Sequence, residues 1–363
     1  MSDTQSAASP VGSKDESLSS AEPPQPKPAT WTVKSPAEPW CPTEVEAAIA
    51  QVVGHETSDR LRARQTLLAG SHGADVDESA FSQIYELHAG AWRVIGAARR
   101  GRRHAHVGAW CEDAVFAHLG ESRGVLVVAD GAGSAAWSRL GSAIAVDMVG
   151  AALRDAPLLD SDSMNRAIEA AVDALRQCAT AMNVAPRTLR TTLLAVAWEP
   201  SNSGGVRLVT TQVGDGVLVL AHSDGRITQP AAGDAGEWSG EVHCFLPDDE
   251  TMSRARAATA VHDVADLVAV VLVTDGVEDA LYPFAKHAPA VLSQLVHGAS
   301  VPLGNLTAQP VTPSVLTSGS PGLTLLEWLA FEKRGENDDR TLAVALHHSA
   351  SHVITPWAPS ASA

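Results

Sequence analysis

Val127-Val-Ala-Asp-Gly-Ala-Gly-Ser134 joins an apolar run to a helix-like segment through an acidic turn. The pattern over residues 124–129 predicts a buried strand, and the two glycines let the backbone turn sharply and leave its carbonyl groups free. A carboxylate beside exposed carbonyl oxygens is a suitable ligand set for Mg²⁺ or Mn²⁺. Asp-Gly after a strand is more often an ordinary turn, so this octapeptide does not establish a metal site by itself.

The combination of an apolar run and an acidic turn recurs along the chain. Further examples are Cys111-Glu-Asp113, Gly214-Asp-Gly216, Thr274-Asp-Gly276 and Glu336-Asn-Asp-Asp339. Carboxylates beside buried strands repel one another and resist desolvation unless a positive group joins them. A cluster of divalent cations is the simplest physical account, and it predicts that these segments converge.

The composition is typical of a globular protein with a substantial core. The chain has 363 residues, of which 45% are hydrophobic and 19% are charged, enough for one large or two ordinary domains. A net charge of −16 argues against binding to nucleic acid or to an anionic membrane surface. The four cysteines are scattered, and no signal peptide or long apolar run is visible, so we expect a cytoplasmic monomer.

Local composition divides the chain into a main domain and shorter flanking segments. Ser, Pro and charged residues dominate the N-terminus, which cannot bury enough apolar surface to offset the entropy lost on ordering. The predicted segments are a disordered tail at 1–40, a short helical extension at 41–88, the main domain at 89–349 and a flexible tail at 350–363.

The order of predicted elements indicates the fold class. Strands come in two clusters, each followed by two predicted helices, and a last strand ends the domain. Runs of strands followed by runs of helices favour an α+β fold, here a four-layer α-β-β-α sandwich with a central antiparallel β-sandwich. The first strand is predicted at 92–98, the helices at 135–153, 164–182, 285–297 and 322–334, and a long irregular loop at 299–321.

A basic segment lies just before one of the acidic turns. Arg99-Arg-Gly-Arg-Arg-His-Ala-His106 is the densest positive patch of the chain, six residues before the Glu112-Asp113 pair. A basic loop is usually a solvated surface. Here it could instead bind an anionic substrate that is held against metal ions.

Six short motifs together resemble the metal-dependent Ser/Thr protein phosphatases of the type 2C class (PPM), and most closely their bacterial branch. All six occur in the family's order, over residues 92–347. They are Gly108-Ala-Trp-Cys-Glu-Asp113, Val128-Ala-Asp-Gly-Ala-Gly-Ser134, Thr191-Thr-Leu193, Val213-Gly-Asp-Gly216, Thr274-Asp-Gly-Val277 and Asp338-Asp-Arg-Thr341.

The resemblance implies a fold, an activity and a set of site residues. The family fold is a β-sandwich flanked by helix pairs, and two Mg²⁺ or Mn²⁺ ions bridged by a water hydrolyse phosphoserine and phosphothreonine in proteins without a phosphoenzyme. A phosphoprotein substrate and a partner kinase are the expected partners. The implied metal ligands are Glu112, Asp130, the carbonyl of Gly131, Asp275 and Asp338, with Asp215 on a weaker third ion and Asp113 orienting the metal-bound water.

Two departures from the family pattern concern substrate binding. The family has an arginine four residues before the metal-binding glutamate, where this chain has Gly108, and often a histidine after the Asp-Gly turn, where this chain has Ala132. Arg102, Arg103 or His104 could bind phosphate instead. A pKa near neutrality would also let His104 protonate the leaving oxygen.

Three functions remain open from the sequence. The leading hypothesis is an active protein phosphatase. The same metals could instead hydrolyse a small phosphorylated molecule, or the chain could be a pseudophosphatase that binds a phosphoprotein or a signalling partner. A pseudoenzyme is expected to lack a metal-binding carboxylate, and none of the matched carboxylates is missing.

Overall fold

The computed structural model describes residues 33–69, 82–230, 244–298, 303–308 and 312–356. Residues 1–32 and 357–363 of the predicted tails, and 299–302 and 309–311 of the predicted loop, lie outside them. The helices are α1 (Thr43–Ala69), α2 (Arg102–Val107), α3 (Ser138–Asp155), α4 (Ser161–Ala181), α5 (Thr251–Ala258), α6 (Asp275–Glu278), α7 (Phe284–His297), α8 (Pro321–Trp328) and α9 (Ala350–Val353). The strands are β1 (Gln83–Ala89), β2 (Trp92–Arg99), β3 (Ala114–Leu119), β4 (Gly124–Ala129), β5 (Leu193–Pro200), β6 (Val206–Val213), β7 (Val217–His222), β8 (Ile227–Thr228), β9 (Ala260–Val264), β10 (Leu267–Val273) and β11 (Arg340–His347).

The strands form two antiparallel sheets. One has the order β1-β2-β11-β10-β7-β8 and the other β3-β4-β5-β6-β9. Helices α3 and α4 share a core with the five-stranded sheet, and α7 and α8 share one with the six-stranded sheet. A third cluster lies between the sheets. The predicted four-layer α-β-β-α sandwich is therefore confirmed.

The continuous apolar runs of the central strands are explained by burial on both faces. Every residue of β10 is buried. Val270 and Leu272 join the core between the sheets, whereas Val271 and Val273 pack towards the helices. Because side chains alternate along a strand, a strand buried on both faces must be apolar throughout.

The prediction that the strand at 92–98 comes first in the main domain is wrong. Gln83–Ala89 forms β1 and pairs with β2 along its whole length, with Gln83 opposite Ala98 and Ala89 opposite Trp92. The side chains of this edge strand are half-buried or exposed, so its apolar pattern is weak. The sheet thus begins inside the predicted extension at 41–88.

Other local predictions also need correction. The basic segment forms α2 instead of a loop, and α8 ends at Trp328, short of the predicted end at residue 334. The predicted C-terminal tail begins with α9, and Ala350 is fully buried. Helix α5 and strand β9 were not predicted. None of the described helices meets the length and apolarity needed to cross a membrane.

The segment 33–41 also departs from the predicted tail, because it contacts the main domain. The backbone N–H of Lys34 donates to the carbonyl of Ala105, over 2.9 Å. The indole N–H of Trp110 donates to the carbonyl of Glu38, over 3.0 Å. Trp40 is only 3% exposed, and burial of an indole ring is a sufficient driving force for docking a short segment.

Candidate metal centre

Carboxylates collect at one end of the β-sandwich. Successive connections in an antiparallel sheet lie at opposite ends, and every second connection lies at the same end. The acidic turns lie at the same end. Glu112 and Asp113 precede β3, Asp130 follows β4, Asp215 lies between β6 and β7, Asp275 follows β10, and Asp338 precedes β11. The structure brings together all the carboxylate residues predicted from separate segments.

The backbone of Asp130 is fixed by the Thr-Thr motif at the start of β5. The N–H of Asp130 donates to Thr192 Oγ1 over 2.9 Å. Its carbonyl accepts from the N–H of Thr192 and from Thr191 Oγ1, both over 2.8 Å. Burial, followed by the charges of Asp275 and Asp113, raises the pKa of Asp130 well above its usual value. The carboxyl group thus lies in a strongly negative environment.

Two threonines orient Asp113, which is 2% exposed. Its Oδ2 accepts from Thr274 Oγ1 over 2.9 Å and from Thr341 Oγ1 over 2.7 Å. Among the described residues, nothing donates to the buried Oδ1. Burial, and then the charge of Asp339, raises the pKa of Asp113 to about 7, against the hydrogen bonds that lower it. Oδ1 is therefore available to a donor from water or a ligand.

Asp275 begins α6 and is half-buried. Burial raises its pKa well above the usual value, and the largest charge acting in the same direction is that of Asp215. The next residue, Gly276, lies against the backbone of Asp339, because an added Cβ would come within 1.9 Å of the Asp339 carbonyl oxygen. Only glycine therefore allows the Asp275 turn to approach the start of β11.

Glu112 and Gly131 lie on the opposite side of the cluster, beside the first turn of α3. A Cβ on Gly131 would come within 2.7 Å of the Ser138 side chain and 2.9 Å of the Glu112 carbonyl oxygen. Burial raises the pKa of Glu112 to about 7, and the charge of His104 opposes that shift. The two predicted ligands, Glu112 and Gly131, therefore lie where the Asp-Gly turn approaches the segment that leads into β3.

Asp339 is a site residue that the sequence reasoning missed. It is 1% exposed, and its Oδ1 accepts from the N–H of Gly101 over 2.5 Å. Its Oδ2 accepts from the N–H of Glu112 over 2.6 Å and contacts His104 Nδ1 over 2.9 Å. Asp339 therefore fastens α2 and the Glu112 backbone to the start of β11. The Asp338-Asp339 doublet was the available signal, but it does not tell which carboxylate points inward.

His104, Asp338 and Asp339 also form a compact group. In the described part of the chain, each offers one potential ligand atom, and these atoms lie within 4.8 Å of one another. Asp339 is already occupied by its hydrogen bonds to Gly101 and Glu112. Asp338 is exposed and can turn towards an ion, as its predicted role requires.

The three groups predicted to bind phosphate differ in the structure. Arg102 pairs with Glu332 and Arg103 is exposed. Burial alone would lower the pKa of His104, but the hydrogen bond and charge of Asp339, with smaller contributions from Glu112, raise it to about 9. This pKa lies above the predicted range near neutrality and favours the charged imidazolium. Nε2 is the ring nitrogen that Asp339 leaves available.

The donor set fits divalent cations with hard oxygen ligands. Carboxylates with raised pKa values surround a buried Asp113 oxygen to which no residue of the described ranges donates. Such a cluster is unfavourable unless positive charge joins it. Mg²⁺ and Mn²⁺ prefer carboxylate, carbonyl and water oxygens, so the residues present fit these ions.

Comparison with known proteins identifies the family. Residues 100–301 match the family model of protein phosphatase 2C. The match spans more than half of the chain, so the chain belongs to the protein phosphatase 2C family and is a protein phosphatase by class. A search of curated proteins finds no match.

The solved structures to which this chain is similar include those of RsbX, PstP and Stp1. RsbX in complex with magnesium is 15% identical over 73% of this chain and 100% of that chain, with a TM-score of 0.43. The catalytic domain of the serine/threonine phosphatase PstP with two manganese ions is 18% identical over 70% and 97%, with a TM-score of 0.45. Stp1 from Staphylococcus aureus is 14% identical over 73% and 94%, with a TM-score of 0.43.

Proposed function

We propose that this chain hydrolyses phosphoserine and phosphothreonine in proteins with the help of two Mg²⁺ or Mn²⁺ ions. The observation that carries the proposal is the convergence of carboxylates from separate turns around Asp113, whose buried Oδ1 has no donor among the described residues. The residues proposed to hold the two ions are Glu112, Asp130, the carbonyl of Gly131, Asp275 and Asp338, with Asp215 on a weaker third ion.

The protein's own residues then have separable roles. When bound, the ions would acidify water and neutralise charge on the phosphoryl oxygens. Asp113, fixed through Oδ2 by Thr274 and Thr341, can accept a proton of a water at Oδ1. His104, held at Nδ1 by Asp339, can donate from Nε2 to a phosphoryl oxygen or to the leaving oxygen.

The setting of this activity is part of the proposal. We place a phosphatase domain from about residue 83, where β1 begins, to residue 349, and we expect a monomer with a partner kinase that phosphorylates the same substrates. The four cysteines, all of them in described segments, are free and buried, as is common for proteins in a reducing cytoplasm.

The decisive experiment measures phosphate release by the full chain from phosphoserine and phosphothreonine peptides in the presence of Mn²⁺. Turnover of both peptides is expected. Turnover of small phosphorylated metabolites alone would favour the small-molecule alternative. Tight phosphopeptide binding without any phosphate release would identify a pseudophosphatase.

The His104→Ala substitution is expected to lower kcat/KM for a phosphopeptide at least about tenfold, or more than about 1.4 kcal/mol of transition-state stabilisation. It removes a cation held beside Glu112, and metal content should not change. With an aryl phosphate, whose leaving group needs no proton, the substitution should lower kcat less than with the phosphopeptide if His104 is the acid. The two losses should be equal if His104 only binds phosphate. His106→Ala, on the exposed side of the same helix, is the control. Wild-type kinetics on both substrates would exclude either role.

The Asp215→Ala substitution is expected to lower activity on the order of tenfold. This is the lower end of the loss in activity that usually follows mutation of a residue next to a metal site. Asp215 lies close enough for its charge to act on Asp275, and it is the proposed ligand of the weaker third ion. The two tighter ions should stay bound in calorimetry and elemental analysis. Asp224→Ala, in the exposed turn after β7, is the control. Loss of all metal from Asp215→Ala would place Asp215 in the core site.

A further inference from the structure

A phosphoester entering this site needs donors for the phosphoryl oxygens that the ions do not contact. Most cationic side chains near the carboxylate end are engaged elsewhere. Arg102 pairs with Glu332. Arg340 is buried and donates to the carbonyls of Leu329 and Phe331. His104 supplies one available nitrogen at most, because Nδ1 contacts Asp339.

Arg103 is exposed on α2. Arg139, in the first turn of α3, is the candidate with a fixed position beside Glu112. Three residues separate this turn from the Asp-Gly-Ala-Gly-Ser segment at 130–134, and α3 contacts the Glu112 backbone. Ser142 Oγ lies 2.5 Å from the carbonyl oxygen of Glu112 and 3.2 Å from that of Arg139. Burial lowers the pKa of the Arg139 guanidinium. The largest charge that opposes this effect is that of the Glu112 carboxylate.

The guanidinium of Arg139 is held by backbone carbonyls, and part of it remains available to a ligand. Its Nε donates to the carbonyl of Trp40 over 2.8 Å, and Nη1 contacts the carbonyl of Ala136 over 3.5 Å. The group lies 4.9 Å from the centre of the Trp137 ring. Within the described segments, these bonds leave Nη2 without a partner. The side chain thus loses little freedom when it binds a ligand, which favours affinity.

We propose that Arg139 binds the phosphoryl group of the substrate from the Glu112 side of the metal centre. The proposal rests on the phosphatase function proposed above. A guanidinium presents several donors in one plane and matches phosphate oxygens better than a point charge does. Once Glu112 serves an ion, its charge is shared with that ion, and the nearby guanidinium is free to attract the anion.

The test is calorimetric titration of inorganic phosphate into the full-length protein in excess Mn²⁺. Arg139→Ala is expected to weaken phosphate binding at least about tenfold, equivalent to about 1.4 kcal/mol, with unchanged metal content. Arg139→Gln keeps the side-chain stem and guards against misfolding, and it should lose affinity similarly. Arg139→Lys keeps the charge and should lose less.

Arg207→Ala is the matched control, because Arg207 Nε also donates to a backbone carbonyl, that of Leu159, over 3.0 Å. Arg207 lies in β6 close to its first residue, at the end of the sandwich away from the carboxylates. Phosphate affinity should be unchanged in this variant. Equal affinity in wild type and Arg139→Gln, an equal loss in Arg207→Ala, or no phosphate binding by the wild type would each overturn the proposal.

Kinetics separate this inference from the phosphatase proposal. For a phosphopeptide, Arg139→Gln should raise KM about tenfold and change kcat much less, because the contact exists before and during reaction. A drop in kcat alone would contradict phosphate binding by Arg139. A wild-type chain that binds phosphate through Arg139 but releases none from phosphopeptides would refute the enzymatic proposal and leave the anion contact standing.

Discussion

The Asp130→Asn substitution is expected to lower kcat for a phosphopeptide at least about 10³-fold, about 4 kcal/mol of barrier. Asparagine has nearly the same shape, and the bonds to Thr191 and Thr192 use only the Asp130 backbone. The change therefore removes charge from the centre of the proposed metal site without removing the supports of the turn. Steady-state kinetics and elemental analysis of bound Mn²⁺ measure the effect.

The fold should survive this substitution, and the metal-free protein should become no less stable. Asp130 has a raised pKa, so its ionised form costs folding free energy at neutral pH, and the neutral amide removes that cost. Thermal unfolding in EDTA should therefore give a Tm for Asp130→Asn at or above that of the wild type. Asp173→Asn, on the exposed face of α4, serves as control. Activity within tenfold of the wild type would show that Asp130 is not a central metal ligand.

Removal of divalent ions is expected to abolish phosphatase activity, and added Mn²⁺ or Mg²⁺ should restore it. Carboxylates dominate the cluster, and without bound ions they repel an anionic phosphoester and do not acidify water. Treatment with EDTA, followed by titration of each metal in a phosphopeptide assay, measures the loss and recovery.

Metal binding should also be visible without turnover. Ions that bind only the native state stabilise it by about 2.7 kcal/mol at a concentration of 100 Kd, which corresponds to a Tm increase of several degrees for a domain of this size. Asp130→Asn should show a smaller increase. Full activity in EDTA, in protein that contains no metal by elemental analysis, would contradict the metal-dependent mechanism.

The layers and the acidic turns could be predicted because they depend on local patterns. Strands such as β10 are apolar along their whole length since both faces are buried, and the turns that follow them carry aspartates next to glycines. Strand β1 escaped prediction because it lies at the sheet edge, where alternation between half-buried and exposed residues is weak. Its identity depends on pairing with β2, which is a tertiary property.

The surroundings of the site were less predictable for a similar reason. The sequence shows the doublet Asp338-Asp339, but only packing shows that Asp339 is the buried member that binds the Glu112 backbone. Likewise, nothing near Arg139 in sequence connects it with Glu112 or with Trp40. These contacts arise when α3 stacks on the five-stranded sheet and segment 33–41 docks beside it.

The position of β11 in its sheet has a consequence for how the protein forms in the cell. This strand inserts between β2 and β10 and pairs with both. Until β11 has been translated and has paired with its neighbours, the sheet has a gap at its centre, and Asp338, Asp339 and Thr341 are missing from the carboxylate end. The proposed metal centre therefore cannot assemble before β11 docks.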